Sequence, residues 1–71
     1  MSSELHQHLV EAERIVADYE QRVAEQQVLI GELLRVGMSP DNAHGMLLAL
    51  EDARRLAGEH RDLILQEMRE G

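Results

Sequence analysis

Apolar residues recur along the first half of the chain in a single spacing. Leu9, Val16, Val23 and Ile30 form one column at seven-residue intervals, and Leu5, Ala12, Tyr19, Gln26 and Leu33 form a second beside it. Steps that alternate between four and three residues place both columns on one side of an α-helix, as the a and d positions of a heptad repeat. No stretch shows the two-residue alternation of a strand, and the segment is dominated by Ala, Glu, Gln, Leu and Arg, all good helix formers. The pattern predicts a helix over about residues 3–36. Ser2 or Ser3 is its expected cap, and Glu4 is placed well against the positive end of the helix dipole.

The second half repeats the pattern after a break. Ala43, Leu50, Ala57 and Ile64 form one column, Met46, Ala53, His60 and Glu67 are its expected companion, and Leu47, Leu56, Leu63 and Met68 widen the stripe. In the break, Gly37 suits a left-handed residue that closes a helix. Ser39 is a good N-cap, Pro40 fits the first helical position, and Asp41 favours the dipole. A turn is therefore predicted at about 37–39 and a second helix over about 40–70. So short a connection makes the helices antiparallel neighbours. Folding back at the turn sets Ile30 near Leu47, Val23 near Ala53, Tyr19 near Ala57 and Ala12 near Ile64. Ala57 and Gly58 opposite Tyr19 are expected to let the helices approach closely. The expected fold is all-α: a single domain over residues 1–71, built as an antiparallel two-helix hairpin.

Three segments of the chain, HLVEAERIVADYEQRVAEQQVLI (His8–Ile30), LLALE and HRDLIL (His60–Leu65), together with the turn glycine Gly37, resemble a family of short proteobacterial helical-hairpin proteins. The turn GMSPDNA departs from the polar Gly-His-Asp type of connection in that family. The resemblance implies a hairpin over nearly the whole chain and supplies neither a site nor an activity.

Two packed helices cover one stripe each, and here the flanks are apolar too. Val10, Ala17, Ala24, Val28, Leu29 and Leu34 lie off the seam on the first helix, and Leu48, Leu56 and Leu63 on the second. A face that wide calls for a second covering surface. Ordering 71 residues costs on the order of 100 kcal/mol, which a lone hairpin offsets poorly. Two hairpins forming a symmetric four-helix bundle are the simplest solution. The expected interface draws on Leu5, Leu9, Val16, Tyr19, Val23, Ile30, Leu33, Leu47, Leu50, Leu56, Leu63 and Ile64. Gln26 and His60 are the polar members of the seam; a buried Gln26 would penalise misaligned helices.

Composition narrows the function classes. Without cysteine there are no disulfides, thiolate metal sites or thiol catalysis. The N-terminus lacks the basic start and apolar run of a signal peptide, and no segment reaches the roughly 20 apolar residues of a membrane span. The expected location is the cytoplasm. Fourteen acidic residues against seven basic ones leave a formal charge of −7, and the acids divide seven and seven across the turn. Such a chain repels a phosphate backbone, so nucleic acid is not an expected partner.

Candidate chemistry is thin. His8 with Glu11 is one pair with metal-ligand spacing, and Glu4 with His8 another, but no Glu-x-x-His pair of the di-metal bundles occurs. His60 beside Arg61 and Asp62 is a candidate titrating group in the seam. The three serines fall at one end and at the turn, which leaves no nucleophile with a partnered base, and the five glycines are isolated rather than gathered in a phosphate loop. Charged residues at helical spacing, such as Glu11 with Arg14, Asp18 with Arg22 and Glu51 with Arg55, are expected surface pairs. No cofactor, catalytic residue or metal is expected. The leading expectation is a small non-enzymatic interaction or scaffold protein that partners itself or another helical protein. A ligand- or metal-sensing bundle using His60 or His8 with Glu11 is the first alternative. An acidic DNA mimic is the second.

Overall fold

The computed structural model describes residues 3–70. Helix α1 spans Ser3–Arg35 and helix α2 spans Asp41–Glu70, and the two pack along each other as a hairpin. Both inner ends fall within one residue of the boundaries expected from the sequence. Of the two proposed caps for α1, Ser3 is the first helical residue and Ser2 lies outside the described residues.

Backbone bonding explains why α1 stops where it does. The Gly37 N–H donates to the Leu34 carbonyl at 3.2 Å and the Met38 N–H reaches back to the Leu33 carbonyl at 2.9 Å. That crossed pair is the Schellman closure, and it requires a left-handed residue at its centre. Gly37, with φ of 81°, is that residue. Beyond it, the Ser39 hydroxyl accepts from the Asp41 N–H at 3.3 Å, while the Pro40 carbonyl takes the first helical bond from the His44 N–H at 2.8 Å. Pro40 thus stands one place before the first helical position. An added Cβ at Gly37 would meet nothing within 4 Å, so the left-handed backbone is the sole obstacle to a side chain there. Gly37→Ala is expected to lower the unfolding free energy by about 1–2 kcal/mol, read from the urea midpoint.

The seam on α1 follows both predicted columns. Ala12, Val16 and Ile30 are buried, and Leu5, Leu9, Tyr19, Val23, Gln26 and Leu33 are half-buried between them. On α2, Ala43 and Ile64 are buried and Leu47, Leu50, Ala53 and Ala57 half-buried, but Ala53 is the one member of the expected companion column that packs. Met46, His60 and Glu67 are exposed, and Leu47, Arg61 and Leu65 take the inner positions instead. His60 is therefore not a seam residue. The physical reason is cost. Turning α2 toward Leu47 and Leu65 covers two leucines and the apolar stem of Arg61, whereas the other choice would desolvate a histidine and a glutamate. The close approach expected at Gly58 is also absent: a Cβ there would meet only the Arg61 Nη2 atom, at 4.0 Å, and nothing from α1.

The result is long and thin, 55 × 14 × 12 Å, with a radius of gyration of 16.3 Å against about 11 Å for a compact chain of this length. Its accessible surface is 5435 Å², where a compact monomer of 8.1 kDa would show about 4,500 Å². Two side-by-side helices leave most of each circumference in water. Neither helix is long and apolar enough to cross a membrane.

Candidate functional site

Among the described residues, Gln26 is the polar side chain that links the two helices. It sits half-buried in the seam, and its Nε2 donates to the backbone carbonyl of Ala43 at 3.0 Å. A carbonyl oxygen has two lone pairs, so Ala43 can accept this bond and still serve its own helix. Sliding α2 by one turn, about 5.4 Å, would carry the acceptor away and strand the amide against apolar neighbours. Gln26→Ala is expected to cost about 1–2 kcal/mol of unfolding free energy, measured by the same urea titration.

The histidines and the carboxylates singled out as ligands are spread over the surface. His6, His8, Glu11, His44 and His60 are all exposed, and among the described residues no three His, Asp or Glu side chains gather where they could hold a metal ion. The ion pairs are local ones, as helical spacing implies, yet their partners differ from those expected. Arg55 bonds Asp52 at 2.6 Å and Glu59 at 2.9 Å rather than Glu51. Those two carboxylates, Asp52 first, raise the pKa of its guanidinium above the ordinary value. Arg35 pairs with Glu32 and Arg61 with Asp62. Arg22 stands over the Tyr19 ring, 5.6 Å from its centroid, in cation–π range. Among the described residues no ion pair joins α1 to α2, so apolar contact and Gln26 are what hold them in register.

The hairpin has two unlike faces. A local two-fold relates antiparallel helices and runs through the faces, so equivalent flanks of the two helices lie on the same side. One face follows the residue after each inner column, Glu20 on α1 with Glu51 and Gly58 on α2. It forms an open groove also lined by Val16, Leu48 and Arg55. Three carboxylates and three guanidinium groups border it, which makes it a mixed-charge trough without an enclosed pocket. The other face follows the third residue after each inner column. Ile15 and Leu29 on α1, Val36 just past its end and Met46 on α2 are exposed there, with Leu56 and Leu63 just outside them.

Leu56 and Leu63 were expected interface residues, and the structure leaves both uncovered by α1. Ile15, Val36 and Met46 are missing from the flanks read in the sequence. Their signal was available: each stands three residues beyond a seam position, at Ala12, Leu33 and Ala43 respectively. No protein-family model, curated protein or solved structure matches this chain.

Proposed function

We propose that this chain is a small non-enzymatic interaction protein that acts through its helical surface, first by associating with itself into a four-helix bundle in the cytoplasm. The observation that carries the reading is the surplus of accessible surface over a compact monomer, about 900 Å², together with the run of exposed leucine, isoleucine, valine and methionine on one face. Each Å² of apolar surface covered on that face contributes about 25 cal/mol before ordering costs. A helical protein partner is the other occupant such a face would accept.

Size exclusion with light scattering, run beside circular dichroism on one dilution series, tests this. The expected mass is twice the 8.1 kDa chain, with helicity that falls on dilution as the covering surface is lost. A helical monomer whose signal is independent of concentration would remove self-association and leave the face to a different protein.

A further inference from the structure

We infer that the second copy docks on the face carrying Met46, Leu56 and Leu63, with α2 of one protomer running antiparallel along α2 of its partner and the two turns at opposite ends. This rests on the self-association reading and adds where the copies meet and in which direction.

Outside the intramolecular seam, α2 carries a second heptad series. Met46, Ala49, Ala53, Leu56, His60 and Leu63 follow steps of three and four residues, so they share one stripe. All but Ala53 are exposed in the hairpin. The stripe is complementary to its own reverse. With a two-fold passing between positions 54 and 55, Met46 meets the partner helix at its position 63, Ala53 at position 56 and Ala49 at position 60. Alanine thus faces the larger side chain in two of the three layers, as close packing of an isologous interface requires.

The same two-fold serves α1. Arg22 and the centre of that stripe are each about sixteen residues from Met38, so they stand at one level of the hairpin. Ile15 and Leu29 lie equally far on either side of Arg22, and the two-fold brings each onto the position of the other. Setting both turns at one end would instead run α2 along α1 of the partner. The outer column of α1 on this face is Glu11, Asp18, Glu25 and Glu32, acidic throughout, and would press carboxylates onto Leu56 and Leu63. Pairing α2 with α2 keeps that column at the rim. Area agrees with a second copy: the surplus of about 900 Å² is close to the roughly 800 Å² each partner contributes to a stable interface.

The chain has no cysteine, so introduced ones report alone. A Met46→Cys, Leu63→Cys double variant is expected to oxidise to a covalent dimer on a non-reducing gel, while either single variant stays monomeric on that gel. The two positions are about 25 Å apart along one helix, too far for a bond within a chain. Leu56→Glu is expected to weaken association by about 100-fold or more, since the two-fold puts the charge into the interface twice. Leu48→Glu, on the groove face, should leave it unchanged. In the hairpin Leu56 is 53% exposed and Leu48 67%, so neither substitution removes a core residue. Cross-linking by Met46→Cys alone would bring the two copies of position 46 together and overturn the two-fold between positions 54 and 55. Dissociation by Leu48→Glu with Leu56→Glu silent would move the interface to the opposite face. A wild-type chain that is monomeric at every concentration would defeat the self-association reading itself.

Discussion

Ile64→Asp is expected to abolish the cooperative unfolding transition, while Leu63→Asp, one residue earlier, is expected to keep it. Ile64 is 5% exposed and Leu63 59%. Covering an isoleucine contributes about 1.5–3 kcal/mol, and an unpaired carboxylate in its place adds a desolvation cost of several more. For 71 residues the whole stability is roughly 4–11 kcal/mol, so the loss at Ile64 is comparable to the total. Once the seam opens, each helix stands alone in water and loses the tertiary packing that supplies most of a protein helix's stability. Aspartate at Leu63 keeps its hydration and touches nothing in the intramolecular seam. On the inferred docking face it weakens association, so the transition midpoint depends less on protein concentration than that of the wild type. Urea titration followed by far-ultraviolet circular dichroism checks both variants. Equal loss in the two would mean that the hairpin has no stability separate from its assembly; equal retention would mean that the buried column is wrongly placed.

That adjacent pair also shows where the fold was legible. On α1 every seam position except Gln26 is apolar, while the rival column of Val10, Ala17, Ala24 and Gly31 has little side chain to bury, so periodicity identifies the inner face. On α2 the leucines run around the helix, at positions 47, 48, 50, 56, 63 and 65, and several stripes fit the spacing. Which stripe packs depends on what the neighbouring column must desolvate, and that is decided by contact with α1 rather than by α2 alone. The misplacement of His60 follows from this. The turn was legible because Gly37, Ser39 and Pro40 each have a narrow set of backbone roles. Ion-pair partners were not: Arg55 has Glu51, Asp52 and Glu59 all within helical reach, and side-chain geometry selects two of them.

Replacing Gly31, Gly45 and Gly58 together by alanine is expected to raise the unfolding free energy by about 2–3 kcal/mol and the melting temperature by roughly 10–20 °C. All three lie inside helices, where glycine is about 0.8–1 kcal/mol worse than alanine because its backbone loses more freedom on folding. A Cβ at Gly31 or Gly45 would meet nothing within 4 Å, and at Gly58 it would make ordinary contact with the Arg61 side chain. The hairpin therefore has room for each methyl group. The sign is opposite to that at Gly37, where space is equally open but the backbone is left-handed. None of the three glycines lies on the stripe of Met46, Leu56 and Leu63, so the triple variant should also associate as the wild type does. Thermal melts at several protein concentrations read both quantities at once. A melting temperature that rises without changing its concentration dependence fits the inferred docking face. A variant that is more helical yet no longer associates would reveal glycines serving as points of close approach in the assembly, and would place the partner against a different side of the hairpin.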